Sequence, residues 1–276
     1  MNNSRLVASI TEYIEEHLQE KITLEELASQ LNYSKYYLLH EFKETTQQSL
    51  YNYIKRRRLN EAAKALLYSD QRIIEVAFQI GYQSHQAFTK AFEELFKLPP
   101  NGYRSQNKEF FIEEPYAVSD CLVWAEEREV IIQRGMPRDQ EKILHFAQLM
   151  RGALPYLEKR DYLRSLKIVI KEENCYLAWA KGRIVGLLLF DSQKQTIENL
   201  TALPFCWDLA IEKKLLMKLI LDKHPRMLRT TTFRAFDKLD IGHRKRLLKL
   251  GFVSSDETFD FNYPTEKMIL PLTGIN

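Results

Sequence analysis

The 276-residue sequence predicts a multidomain protein, with an all-α domain at residues 1–106 and an α+β domain at residues 130–276. Up to Arg104, apolar residues recur at the spacing of one helix face. After residue 130, short apolar runs bounded by turn residues alternate with helical patterns. Residues 107–129 predict an irregular or strand-containing connector, which Pro115 interrupts.

The all-α domain contains one pattern twice, at residues 22–44 and 72–95. Each copy predicts a short amphipathic helix, a turn, and a second amphipathic helix with a serine N-cap, Ser34 or Ser84. The apolar stripes comprise Leu24, Leu27, Ala28, Leu31, Leu38 and Phe42 in the first copy, and Ile73, Val76, Ala77, Ile80, Ala87, Phe88, Ala91 and Phe92 in the second. Two such copies predict two helix-turn-helix motifs, although the stripes alone also fit a plain helical bundle.

The turns and caps of the two copies rest on different residues. Gly81 can adopt the positive φ that ends a helix, whereas Asn32 tolerates this conformation less easily. Thr23 and Glu26 have the spacing of a capping box before the first copy.

Residues 48–67, between the two copies, contain no Gly or Pro and predict one continuous helix. At 1.5 Å per residue this helix is about 30 Å long. One turn of B-DNA is roughly 34 Å, so two helices held this far apart match successive major grooves. The spacing therefore favours DNA binding over a plain bundle.

A series of short motifs runs through the whole domain in a fixed order. They are Leu27-Ala28, Ser34 to Leu38, Phe42-Lys43, Tyr53-Ile54, Arg58-Leu59, Ala62 to Leu67, Ile74, Gly81-Tyr82, Ser84 to Phe88, Phe92, and Pro99 to Arg104. Over residues of about 8–106 this series resembles the DNA-binding domain of the AraC/XylS family of bacterial transcription regulators. The sequence departs from the family at Thr46, where a glycine usually follows the first recognition helix.

The resemblance implies which side chains face the DNA groove: Tyr36, Leu39 and His40 in the first recognition helix, and His85, Gln86, Thr89 and Lys90 in the second. Gln86 can make a bidentate contact to adenine, and Lys90 can reach guanine or a phosphate. Tyr36 and Leu39 offer apolar contact, for example to a thymine methyl. We therefore expect hydrogen-bonded reading by the second motif and shape-based reading by the first. The alternative for each residue is an ordinary exposed helix position.

Charge gives a mixed signal for DNA binding. Residues 1–106 carry 13 Lys or Arg and 13 Asp or Glu, and the whole chain has a net charge of +3. Positive charge is concentrated in the run Lys55 to Arg58, normally a solvated face, from which we expect one or two phosphate contacts, with Arg57 as the candidate. The overall balance predicts weak nonspecific binding.

Other classes of protein are disfavoured by the sequence. No apolar run reaches 18 residues, and the N-terminal residues lack a signal-peptide pattern, so we expect a cytoplasmic protein without a membrane partner. Cys121, Cys175 and Cys206 are scattered, which argues against a disulfide framework and a CxxC metal site. The six histidines show no metal-ligand spacing, and we expect no metal.

The second domain predicts an α+β fold with a mostly antiparallel sheet. Lys181-Gly182-Arg183 has the composition of a tight hairpin between two apolar runs. The expected strands lie at residues 130–133, 175–180, 184–190, 196–203, 228–234, 253–262 and 267–272; the expected helices lie at 138–173, interrupted at Pro155, and at 209–223 and 239–250.

Three pieces of this domain resemble the GNAT acetyltransferase superfamily: Gly182 to Gly186, Glu198 to Leu200 leading to Pro204, and Lys249 to Val253. Active members bind the acetyl-CoA pyrophosphate through a glycine-rich turn after the fourth strand, at a helix N-terminus. The matching stretch here, which includes Trp207, Asp208 and Ala210, lacks those glycines. Asp208 and Glu212 add negative charge beside the expected phosphate. The position of the family's frequent general-acid tyrosine falls near Leu247, which cannot donate a proton.

These losses make acetyl transfer the less favoured reading, with acetyl-CoA an unexpected ligand. The expected function is a sequence-specific transcription regulator that binds double-stranded DNA, with a degenerate acetyltransferase-like module that senses a ligand or mediates interaction. RNA polymerase, a small-molecule effector and a second copy of the chain are the other expected partners. Two alternatives remain: a regulator fused to an active N-acetyltransferase domain, and a DNA-bending protein without sequence preference.

Overall fold

The computed structural model describes residues 3–106, 111–113, 115, 129–150, 159–260 and 263–272; the side chains of residues 3, 4, 159–161, 205 and 208 are outside this description. The chain divides into two compact units, residues 1–126 and residues 127–276. The first is helical in its described part and the second combines helices with a mixed sheet, which confirms the predicted fold class. None of the helices in the described ranges combines the length and the apolar character needed to cross a membrane.

The first unit has seven helices over its described residues. They are α1 (Asn3–Glu16), α2 (Leu24–Leu31), α3 (Lys35–Thr46), α4 (Leu50–Tyr68), α5 (Ile73–Gln79), α6 (His85–Phe96) and α7 (Pro100–Gln106). α4 is the predicted spacer helix, and it begins two residues later than expected because Ser49 serves as its N-cap. Leu38, Phe42, Phe88 and Phe92 are fully buried, as the apolar stripes predict.

The caps of the two motifs follow the expected chemistry with one addition. Thr23 and Glu26 form the predicted capping box at α2. Asn32 does adopt the left-handed conformation, with φ of 56°, at the position equivalent to Gly81, whose φ is 87°. The second turn has one extra residue, Gln83, before its serine cap. The two copies are therefore similar but not identical.

Thr46 occupies the position where the family usually has a glycine. The residue is buried within the last turn of α3, and its hydroxyl donates to the carbonyl of Phe42 at 2.7 Å. The left-handed conformation that ends α3 falls on the next residue, Gln47, with φ of 62°. The turn thus forms without glycine.

The second unit contains a seven-stranded sheet. Its strands are β1 (Ile131–Arg134), β2 (Cys175–Ala180), β3 (Arg183–Asp191), β4 (Thr196–Ala202), β5 (Met227–Phe233), β6 (Val253–Asp260) and β7 (Tyr263–Pro271), in the order β1-β2-β3-β4-β5-β7-β6. β4 and β5 are parallel and share a single register pair, Thr196 with Arg229, whereas the other neighbours are antiparallel. The predicted, mostly antiparallel sheet is confirmed.

The helices of this unit are α8 (Gln140–Leu149), α9 (Lys159–Lys171), α10 (Ile211–Lys223) and α11 (His243–Lys249), with short 3-10 turns at Pro137–Asp139 and Pro204–Leu209. Pro155, the predicted interruption of the first helical region, lies outside the described residues. α11 begins four residues later than predicted, because Asp240 accepts the backbone N–H groups of Gly242 and His243, and Gly242 has φ of 129°. Gly186 allows α10 to pack closely on β3, since a Cβ there would collide with Ile211.

Candidate nucleic-acid interface

The two candidate recognition helices, α3 and α6, are built alike. Each has 12 residues, and each is capped by a serine whose Oγ accepts a backbone N–H at 3.2 Å, from Tyr37 in the case of Ser34 and from Ala87 in the case of Ser84. Each ends at a left-handed residue, Gln47 or Lys97. Because both ends are fixed in the same way, the two helices can present equivalent positions.

Most of the predicted groove-facing residues lie on the solvent side of these helices. In α3, Tyr36 is 79% exposed and His40 is exposed, and their rings stack with centroids 6.1 Å apart. In α6, His85, Gln86 and Lys90 are exposed. At the predicted groove-facing positions that are exposed, α3 therefore carries a phenol ring and an imidazole, while α6 carries an imidazole, an amide and an ammonium group.

Leu39 and Thr89 occupy equivalent, half-buried positions in the two helices. The hydroxyl oxygen of Thr89 is buried and has no hydrogen-bond partner. In this conformation its polar atom points away from solvent, so a base contact through that hydroxyl needs a rotation about χ1. The DNA roles of all these residues stay predictions.

Arg57 does not occupy the position that the sequence suggested. Its side chain is 3% exposed, and its Nε and Nη2 atoms donate to Glu15 of α1 at 2.8 and 2.6 Å. Further bonds of 3.1 Å join Arg57 to Glu61 and to the carbonyl of Glu113. Burial alone would lower the pKa of Arg57, but the hydrogen bonds and charge of Glu15 raise it. The predicted phosphate contact is thus corrected: Arg57 is a core ion-pair residue.

The other members of the basic run also bind the protein itself. Lys55 Nζ lies 2.8 Å from Glu94 of α6, and Arg56, which is fully buried, donates from Nε to Glu113 at 2.6 Å. Arg58 donates to the backbone carbonyls of Leu18 and Glu20 at 2.9 and 2.5 Å. Burial lowers the pKa of Arg58. Each side chain of the run Lys55 to Arg58 thus has a partner within the first unit, and the run joins α4 to its neighbours.

Sequence reasoning missed Glu15 and Glu113 as the partners of this run. The acidic cluster of the first helix was a usable signal for Glu15, because opposite charges within one small domain attract each other. Nothing local marks Glu113, which is more than 50 residues from its arginines.

The candidate cofactor loop of the second unit lies between β4 and α10. Trp207 donates its indole N–H to the carbonyl of Ala202 at 2.9 Å, and Ala210 takes a left-handed φ of 50° just before α10. The side chain of Asp208 lies outside the described residues. Position 210 is an alanine, for which the left-handed conformation costs about 1–2 kcal/mol, a cost that glycine does not have.

Glu212, in the first turn of α10, is 3% exposed and binds Arg246 of α11 through both carboxylate oxygens. The Arg246 guanidinium also lies 4.6 Å from the Trp207 ring centroid. This pairing corrects the expected repulsion by Glu212, since its charge is neutralised. It also engages Arg246 in an ion pair with the first turn of α10. Leu247 is buried and aliphatic, as the sequence implied.

Metal binding has no support in the described part of the chain, where no group of three or more His, Cys, Asp or Glu residues could hold an ion. Cys175 is buried, and burial raises the pKa of its thiol to about 12.

Comparison with known proteins identifies the first unit. A family model described as a helix-turn-helix domain matches residues 27–106. The uncharacterized HTH-type transcriptional regulator YbfP of Bacillus subtilis is 33% identical over 145 residues, 52% of this chain and 49% of that protein, so the chain spans about half of its length. The regulatory protein SoxS of Salmonella typhimurium is 34% identical over 104 residues, 38% of this chain and 97% of SoxS.

A solved structure of a GNAT-family acetyltransferase from Bacillus cereus is 14% identical, with a TM-score of 0.42, and the match covers 52% of this chain and 97% of that one. The family assignment rests on SoxS, which is matched over 97% of its length, and on the helix-turn-helix model, whose match at residues 27–106 lies within the first unit. The chain belongs to the AraC/XylS family of helix-turn-helix transcription regulators, and its helix-turn-helix domain lies in the first unit.

Proposed function

We propose that the chain regulates transcription by reading two successive major-groove segments on one face of double-stranded DNA. The observation that carries this proposal is the pair of equally capped helices, α3 and α6, on either side of one unbroken spacer helix. α4 has 19 residues and is about 28 Å long at 1.5 Å per residue. That length is close to the pitch of B-DNA, roughly 34 Å.

The exposed side chains support a division of labour between the two helices. Gln86 can pair with adenine and Lys90 with guanine or a phosphate, while Tyr36 and Leu39 supply apolar contact. His40 and His85 lie beside these residues and can bind bases or backbone. Since the basic run Lys55 to Arg58 is used internally, affinity has to come from contacts of the reading helices more than from a diffuse positive field.

For the second unit we infer a sensory or interaction role without acetyl transfer. The supporting observations are the missing glycines, the commitment of Arg246 to Glu212, and the aliphatic Leu247. Binding of a small-molecule effector, pairing with a second copy, and contact with RNA polymerase are the ways in which such a unit can act on transcription in a bacterial cytoplasm.

Genome-wide mapping of bound sites, followed by gel-shift titration on the strongest one, tests the DNA-binding part. Replacing Gln86 and Lys90 together by Ala should abolish specific binding and leave the fold intact, because both side chains are exposed. Lys171→Ala, at an exposed lysine of α9, is the matched control and should bind like the wild type. Unchanged operator affinity of the double variant would contradict the proposal.

A further inference from the structure

Residues 111–113, which we call the strap, lie beyond the matched domain at 27–106 and pack against the middle of α4. The backbone N–H of Ile112 donates to Asn60 Oδ1 at 2.8 Å, and Arg56 Nη2 donates to the carbonyl of Ile112 at 3.3 Å. All three strap residues are buried. The strap is thus fixed by specific bonds to one helix.

Glu113 is the charged member of the strap. Its carboxylate accepts from Arg56 Nε at 2.6 Å, and its carbonyl accepts from Arg57 Nη1 at 3.1 Å. Arg56 is fully buried in the spacer helix, so the Glu113 carboxylate neutralises a charge that has little access to water. A buried guanidinium without its carboxylate is much less stable than a hydrated one. The surrounding backbone therefore rearranges to give the unpaired charge access to water.

The same stretch of α4 is bound to α6 through one neighbour of Arg56 and to α1 through the other. The residue before Arg56, Lys55, pairs with Glu94 of α6, and the residue after it, Arg57, pairs with Glu15 of α1. α1 in turn packs against α3. A shift of α4 at Arg56 is therefore transmitted to the surroundings of both recognition helices.

We propose that Glu113 is a positioning residue for DNA reading, which holds the spacer helix so that α3 and α6 meet their two half-sites together. This inference rests on the proposed function, since it needs two helices that read one DNA molecule. The advantage of two linked readers depends on a fixed separation that matches the spacing of their sites. A loosened spacer lowers the affinity for the correct spacing and tolerates wrong spacings better.

Binding to operators of altered length separates positioning from simple stability. Affinities of the full chain are measured for the native operator and for versions with one base pair added or removed between the half-sites. A destabilised protein loses active molecules equally for every operator, so the ratio of affinities stays constant. A positioning defect changes that ratio.

The wild type should prefer the native spacing by about 100-fold, and Glu113→Gln should reduce this preference to about tenfold. Glu12→Gln, which removes a carboxylate from an exposed position of α1, is the control and should keep the wild-type ratio. Ile112→Ala loosens the same strap without leaving a buried charge, and decides the question if Glu113→Gln does not fold. An unchanged ratio in the folded strap variants overturns the inference alone; a wild type without any spacing preference overturns the proposed function as well.

Discussion

Arg57 allows a decisive test, because its two possible roles predict opposite results for one substitution. Arg57→Met keeps most of the aliphatic stem and removes the guanidinium. If Arg57 contacts a phosphate, DNA binding suffers and stability does not. If Arg57 is the core ion-pair residue that the structure shows, stability suffers and the salt dependence of DNA binding does not change.

The size of the stability loss follows from the contacts. Arg57 is 3% exposed and makes hydrogen bonds to Glu15, Glu61 and the carbonyl of Glu113. Removal of one partner from a buried ion pair lowers the free energy of unfolding by roughly 3–5 kcal/mol. Glu15 and Glu61 are 25% and 37% exposed and can recover part of their hydration. We therefore expect a loss near the lower limit, about 3 kcal/mol.

Native-state hydrogen exchange on the full chain measures this loss where it occurs. A loss of about 3 kcal/mol speeds exchange of the α4 amides by about 100-fold, since 1.4 kcal/mol corresponds to a factor of ten. Arg5→Met, at an exposed arginine of α1, should leave their exchange rates unchanged.

The salt dependence of operator binding supplies the second half of the test. Each phosphate contact contributes about 0.9 to the slope of the logarithm of affinity against the logarithm of salt concentration. Arg57→Met should keep the wild-type slope. A slope reduced by about one, together with unchanged exchange of the α4 amides, would refute the core assignment.

Three further predictions concern the capping, ionisation and ligand binding of the chain. Ser84→Ala removes the acceptor for the Ala87 N–H and should destabilise the first unit by about 1 kcal/mol in a urea titration, whereas an undiminished midpoint would mean that the cap contributes nothing. Burial raises the pKa of Tyr82 to about 12 against the ordinary 10. Tyr82 therefore ionises at lower pH in the unfolded chain than in the folded one, and the free energy of unfolding should fall as pH rises from 10 to 12. Tyr82→Phe should remove this part of the pH dependence, as measured by denaturation at several pH values. Calorimetric titration of the full chain with acetyl-CoA should give no stoichiometric binding, because Arg246 is engaged by Glu212; a 1:1 complex followed by turnover would establish the acetyltransferase alternative.

The elements that the sequence predicts well are those with a local cause. The apolar stripes specify which faces of α3 and α6 are buried, and serine caps mark where both helices begin. The spacer helix follows from a stretch without Gly or Pro. The left-handed residue of the first turn, Asn32, directly follows Leu31, the last residue of the apolar stripe in α2.

The elements that escaped prediction depend on distant partners. Four consecutive basic residues point in different directions around a helix, so the sequence alone cannot say which of them meets solvent. The bond from Arg56 to Glu113 and the bond from Arg246 to Glu212 each join segments that are far apart in the chain. The sequence therefore singles out the charged residues of α4 but does not reveal which groups they bind. The assignment of Arg57 to a phosphate was wrong for that reason, because Arg57 pairs with Glu15.

The unequal copies in the first unit have a consequence for the promoters that such a protein would occupy. One copy has a shorter turn and the stacked rings of Tyr36 and His40 at its predicted groove-facing positions, and the other has the extra Gln83 in its turn and Gln86 and Lys90 at those positions. A chain with two different recognition helices in a fixed order binds DNA in one defined orientation. Its target should lack the two-fold symmetry of a palindrome, and inverting that target relative to the start of a gene should change which side of the protein faces the transcription machinery.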